Sequence, residues 1–160
     1  MDSQDDSLDI FLMRHGQAAS GNPDHLRELT PRGREESRAV GRLLAAADTR
    51  PAVIWSSPFR RAKQTALIIA EELYLPVTDC EFITPDDDPT EALEKLGELS
   101  RESGIRSLLL VSHMPFIGGL TSLLTEGHTY GSPYGTSELR WLTSGVWASR
   151  CASQQKRWLA

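Results

Sequence analysis

Apolar positions along this chain come in two kinds, short unbroken runs and longer stretches with helical spacing, and the two kinds alternate. Ile10, Phe11, Leu12 and Met13 are consecutive and apolar, which suits a strand buried on both faces of a parallel sheet. Ala52–Ser57 (AVIWSS) and Ser107–Ser112 (SLLLVS) read the same way, and a short strand is expected around Val77–Phe82. Between these runs, Thr30-Pro31 opens a helix, with threonine as the cap and proline in the first turn, and Val40, Leu43 and Leu44 form its apolar stripe. Phe59–Leu75 carries Ala62, Ala66, Ile69 and Leu73 at helical spacing and is stopped by Pro76. Thr90–Glu102, ending before Gly104, and Phe116–Leu124 complete the helices. Glu138 and Arg140 alternating with Leu139 and Trp141 predict a half-exposed edge strand with Val146–Ser149 as its partner, and Trp141 and Trp147 are expected to pack the end of the sheet. Strands alternating with helices predict an α/β fold of three layers, a mostly parallel central sheet flanked by helices.

Composition narrows the function classes. At 160 residues the chain is read as one domain over positions 8–160, preceded by a short, acidic, disordered leader at 1–7. The net charge of -5 argues against nucleic acid and against anionic membrane as general partners, so any anion site must be a local arginine cluster. Positions 1–7 lack the basic and apolar regions of a signal peptide, and no apolar run approaches a bilayer span. Cys80 and Cys151, only two and far apart, indicate neither a disulfide framework nor a metal site, and a cytoplasmic protein with free thiols is expected. Asp86-Asp87-Asp88 are consecutive, so their carboxylates diverge and do not make a metal loop.

Two of the buried runs end on a histidine. His15 follows the first within Arg14-His15-Gly16, and His113 follows the run at 107–112. Ligands in open α/β sheets bind at the carboxyl ends of strands, so neighbouring strands would bring the two imidazoles together where such folds keep their chemistry. One imidazole can then serve as a nucleophile and the other as a partner to an oxyanion. Arg14 adds fixed positive charge, as does Arg61 in the first turn of the long helix, whose N-terminus itself favours anions. Guanidinium forks suit tetrahedral oxyanions, and histidines among arginines describe phosphoryl transfer better than acyl transfer. Taken singly these features are ordinary: a lone histidine is more often structural, and an arginine pair at a helix start is more often a solvated face. Ser57 reads as a strand-ending or capping serine, and His25 and His128 lie in loops without an assigned role.

LMRHG at 12–16, SSPFRRAKQT at 56–65 and VSHMP at 111–115, in that order, resemble the histidine phosphatase superfamily, the phosphoglycerate mutase-like group. RELTPRG at 27–33 and SHMPFIGGL at 112–120 make the SixA-type phosphohistidine phosphatases the most similar branch, over about Asp9 to Leu142. The resemblance implies that His15 is a nucleophile that becomes a covalent phosphohistidine. It implies that Arg14 and Arg61 clamp the phosphoryl oxygens, that His113 completes the pocket, and that Arg27 lies near it. Water then hydrolyses the phosphoenzyme, with no metal or organic cofactor. Its substrate would be a phosphorylated protein, such as the phosphohistidine of a phosphotransfer domain, with a single chain as the working unit.

Phosphomonoesterases of this superfamily carry a carboxylic acid after the third strand to protonate an alkoxide leaving group. Here Phe82 stands at the matching position, with Glu81 beside it and Asp86, Asp87 and Asp88 farther on. Loss of a general acid lowers turnover of such esters by about 10²–10⁴-fold, whereas an imidazole leaving a phosphoramidate depends on it less. Phosphohistidine hydrolysis is therefore the leading expectation. A small-molecule phosphomonoesterase using Glu81 or an acid of 86–88 is one alternative, and a non-catalytic phosphoprotein-binding module is another.

Overall fold

The computed structural model describes residues 7–159, so all but the last position of the leader read at 1–7 lies outside the described residues. Six strands form one sheet: β1 (Leu8–Arg14), β2 (Val53–Ser56), β3 (Val77–Asp79), β4 (Ser107–Ser112), β5 (Leu139–Ser144) and β6 (Ala152–Trp158). Their spatial order is β3-β2-β4-β1-β5-β6. β1 to β4 run parallel, and β5 and β6 are antiparallel additions on the β1 side. The helices are α1 (Pro31–Ala45), α2 (Arg60–Leu73), α3 (Pro89–Ser103) and α4 (Phe116–Glu126), with a single 3-10 turn at Asp24–Leu26. Among the described residues no helix is long and apolar enough to cross a membrane.

The unbroken apolar runs are explained by two cores, one on each face of the sheet. Phe11, Met13, Ile54, Leu109 and Val111 pack with Val40 and Leu44 of α1 and Ala62, Ala66 and Ile69 of α2. Ile10, Leu12, Leu108 and Leu110 pack with Leu93 and Leu96 of α3 and with Phe116, Ile117, Leu120 and Leu124 of α4. Successive strand residues point to opposite faces, so a central strand covered on both sides must be apolar at every position. The three-layer expectation holds.

Local signals set the helix ends. Thr30 accepts a hydrogen bond from the Gly33 amide at 3.0 Å, with Pro31 in the first turn of α1. Asp88 caps α3 through the Thr90 amide at 2.9 Å, which places Pro89 inside the helix rather than in the preceding loop. α2 stops at Leu73, before Pro76, because Tyr74 adopts a left-handed conformation.

The C-terminal third departs from expectation. β5 is an interior strand between β1 and β6, and Glu138 and Arg140 are buried as an ion pair at 2.8 Å. Val146–Ser149 is a turn, and the partner of β5 is β6, which forms the sheet edge. Period-2 alternation of charged and apolar residues looks the same whether the charged face meets water or a compensating charge, which accounts for the misreading. Trp141 stacks on Phe11 with ring centroids 6.0 Å apart and Trp147 is buried, so both tryptophans pack as expected.

Backbone contact after β1 is tight. A Cβ on Gly33 would lie 2.1 Å from the Gln17 carbonyl oxygen, whereas one on Gly145 would meet open space. Gly33→Ala should lower the unfolding free energy by about 1–3 kcal/mol, as overpacking does. Gly145→Ala should change it little, and urea denaturation of the two variants checks the contrast.

Candidate active site

The strand order makes the site. β1 and β4 are neighbours in register from Asp9↔Ser107 to Arg14↔Ser112, so the residues that follow them, His15 and His113, emerge together. The His15 amide continues the ladder by donating to the Ser112 carbonyl at 2.9 Å. The two rings lie edge to face with centroids 5.1 Å apart. β2 ends one strand further along, and the Ser57 amide donates to the Val111 carbonyl at 3.0 Å. The turns at 57–59 and 113–115 are short, so the first turn of α2 is held directly beside the histidines.

Geometry fixes the state of His15. Its Nδ1 lies 2.7 Å from the Gly16 carbonyl oxygen, which can only accept, so Nδ1 carries the proton. Nε2 therefore keeps its lone pair, and that pair accepts a hydrogen bond from Arg61 Nε at 3.2 Å. Burial lowers the His15 pKa to about 4, with Arg61, Arg14 and Arg27 pushing in the same direction. The ring is thus neutral and oriented at physiological pH. His113 is held still lower, at about 2, by burial first and then by His15 and Arg61. Its Nε2 meets the Ser57 hydroxyl at 2.8 Å, and its Nδ1 has no hydrogen-bond partner among the described residues.

The arginines are placed by separate elements. Arg61, buried in the first turn of α2, also gives its two terminal nitrogens to Asp24, one to the carboxylate at 3.1 Å and one to the backbone carbonyl at 2.8 Å. Arg14 donates to the Tyr134 carbonyl at 2.8 Å, and its buried Nε has no partner among the described residues. Tyr134 is in turn covered by the Arg140 guanidinium, 4.0 Å from the ring centroid, so the buried Glu138–Arg140 pair braces Arg14 from behind. Arg27 lies in the loop after β1, bonded to Asp24 at 3.0 Å and to the Ala19 carbonyl at 2.8 Å. Its charge is felt at His15, although its side chain is not in the buried cluster.

Among the described residues, the acids weighed from the sequence make no hydrogen bond or ion pair with His15, His113, Arg14 or Arg61. Glu81 lines an apolar cleft with Trp55, Phe82, Leu99 and Ile105. Asp87 accepts from the Thr84 amide and hydroxyl at 2.8 and 2.7 Å, Asp88 caps α3, and Asp86 is exposed. The carboxylate whose charge reaches His113 is Asp24.

The Histidine phosphatase superfamily (branch 1) model matches residues 10–83. The chain is 35% identical over 126 residues to Phosphohistidine phosphatase SixA of Escherichia coli, covering 76% of this chain and 77% of that one. This chain belongs to the histidine phosphatase superfamily. A Phosphohistidine phosphatase SixA homolog of Haemophilus influenzae is 29% identical over 127 residues, covering 73% of this chain and 77% of that protein. The structure of the protein histidine phosphatase SixA complexed with tungstate superposes with a TM-score of 0.82 at 30% identity, over 94% of this chain and 96% of that one.

Three further residues bond to this cluster. Ser57 orients His113, and Thr65 accepts from the Gly16 amide at 3.0 Å while donating to the Arg61 carbonyl at 2.9 Å. Both fall inside the 56–65 segment, so their position was legible even though their roles were not. Asp24 carries no periodic or spacing signal.

Two neutral, buried histidines tie stability to pH. Unfolded imidazoles bind protons near 6.5 while folded His15 does so near 4, so between these values the unfolded state holds more protons. Stability is therefore full above about pH 6.5 and is lost as pH falls, by up to about 1.4 kcal/mol per pH unit for each histidine. Denaturant unfolding between pH 7 and 4.5 should show this slope, and His15→Asn and His113→Asn should each flatten it.

Proposed function

We propose that this chain is a protein phosphohistidine phosphatase working through a covalent phosphohistidine on His15. The observation that carries the reading is the His15 ring: neutral, fixed in the Nδ1–H tautomer, with its Nε2 lone pair directed among guanidinium groups. An imidazole nitrogen kept unprotonated beside fixed positive charge is a nucleophile for phosphorus and a poor base for most other work.

In the first step the Nε2 lone pair forms a bond to phosphorus as the substrate's P–N bond breaks, and that bond's electron pair goes to the leaving imidazole. The leaving ring departs neutral, carrying the proton held on its other nitrogen. In the second step water attacks phosphorus, the bond to Nε2 breaks with its electron pair returning to that nitrogen, and phosphate leaves carrying both protons of the water, with His15 restored in its neutral Nδ1–H form. Arg14 and Arg61 spread the charge of the three equatorial oxygens, with Arg27 contributing from the loop and His113 completing the pocket. The buried Arg14 Nε and His113 Nδ1 support that arrangement, because a phosphoryl oxygen would give the former its acceptor, and the latter too where it carries the proton.

The likeness to SixA proteins supports a phosphorylated protein as substrate. The expected partner is a phosphotransfer domain presenting phosphohistidine, met by a single copy of this chain in the cytoplasm. The positions of Glu81, Asp87 and Asp88 favour a leaving group that needs no protonation on its departing atom over an alkoxide.

Incubation with labelled phosphoramidate should place acid-labile phosphate on His15, and His15→Ala should abolish the label and lower turnover by about 10³-fold or more. Phosphoramidate should be turned over about 10²–10⁴-fold faster than an alkyl phosphate, with Glu81→Gln leaving both rates unchanged. Robust alkyl-ester hydrolysis lost in Glu81→Gln would replace this reading with a small-molecule phosphomonoesterase. Binding of phosphoprotein without any label would make the chain a binding module.

A further inference from the structure

Asp24 is half exposed, with 56% of its side chain accessible, yet it closes the ion-pair network on a buried guanidinium. One carboxylate oxygen takes Arg61 Nη2 at 3.1 Å and the other takes Arg27 Nη1 at 3.0 Å. The Asp24 backbone carbonyl takes Arg61 Nη1 at 2.8 Å. Both terminal nitrogens of the Arg61 fork are therefore held by a single residue, and each keeps a second N–H for a phosphoryl oxygen. Along its side, Nε is the atom that meets His15 Nε2. The loop carrying Asp24 is itself docked on α2, where Gln64 accepts from the Leu29 amide at 2.8 Å and donates to Glu28 at 3.0 Å.

A guanidinium is planar and rigid, so holding one end of it sets the direction of the other. We infer that Asp24 is a positioning residue for phosphoryl transfer, acting through Arg61: it anchors the end of the Arg61 fork so that Nε faces the reacting nitrogen of His15, and it ties Arg27 to the same anchor. The inference rests on the phosphoryl-transfer reading of the site. Charge agrees with it. Three guanidinium groups act on His15, both histidines are neutral, and the Arg27 and Arg61 hydrogen bonds keep Asp24 ionised by lowering its pKa. The cluster so composed carries two net positive charges, the complement of a phosphoryl dianion. Aim set before substrate arrives is what electrostatic catalysis requires, and a displacement of about 1 Å lowers rates by about 10²-fold.

The test is single-turnover phosphorylation of His15 by phosphoramidate, run with ¹⁵N NMR of the His15 ring in the intact protein. Asp24→Ala should slow phosphorylation by about 10–100-fold and shift the Nε2 resonance as its bond from Arg61 is loosened, while Asp24→Glu should recover part of the rate. In an Arg61→Ala background, Asp24→Ala should cost much less, only the part that acts through Arg27. Phosphorylation at the wild-type rate or faster in Asp24→Ala would overturn the role and make Asp24 a competing anion instead. An equal loss with and without Arg61 would overturn action through Arg61. If wild-type His15 takes no label, the functional reading fails separately. The Asp24–Arg61 anchor is then judged on the Nε2 resonance, which must move in Asp24→Ala for it to survive.

Discussion

The parallel ladder between β1 and β4 is the constraint on which the site depends. Its register, Arg14 opposite Ser112, is what sets His15 beside His113. A slip of one residue would move His113 by about 3.3 Å and turn its side chain to the opposite face. Nothing in the short turn at 113–115 could undo such a slip. The register is secured because both strands are buried on both faces, so every residue from Ile10 to Met13 and from Leu108 to Val111 has a fixed place in one core or the other. The two cores therefore act directly on the chemistry: they decide which atoms meet at the end of the sheet.

Burial at that end does a second thing. It removes the solvation that would stabilise a charged imidazole, and for both histidines this is the largest influence on their protonation. The arginines reinforce it. Guanidinium stays charged under the same burial because of its intrinsically high pKa, even for Arg14, whose own value burial and Arg61 lower. One environment thus yields neutral histidines and charged arginines side by side. The Glu138–Arg140 pair extends the logic one layer back. Fully paired and set against Tyr134, whose carbonyl holds Arg14, it places no free charge near His15.

Most of the fold was legible because the parallel part of the sheet advertises itself: buried central strands are apolar throughout, and the helices between them show apolar positions at helical spacing, with side-chain caps on α1 and α3. His15, His113, Arg14 and Arg61 were legible for a related reason, since each stands at the end of such an element. The antiparallel end was misread at β5 and β6, where burial of Glu138 and Arg140 against each other is invisible to a hydrophobicity pattern, and where β6 is polar at most positions. Ser57 and Thr65 were visible as residues, but their hydrogen bonds cross between elements and no local rule reports them. Asp24 lies beyond sequence reasoning for the same reason: its partners are one turn of loop and one helix away, brought together only by docking of that loop on α2.

The leaving group follows from the state and position of the acids. A carboxylic acid that protonates an alkoxide must hold a proton at neutral pH and lie near the scissile bond. Glu81 lines an apolar cleft, Asp87 and Asp88 hold backbone amides in place, and Asp86 is exposed. Asp24 is the acid that bears on the site, but two arginines keep it ionised, which is the wrong state for donating a proton. A carboxylate fixed as an anion serves instead to aim a cation. Phosphohistidine fits such a site because its imidazole can depart with a proton already on the distal nitrogen, so the site need supply only a lone pair for phosphorus and positive charge. The same substitution of charge placement for proton donation accounts for the neutral histidines, the three guanidinium groups and the single carboxylate that orders two of them.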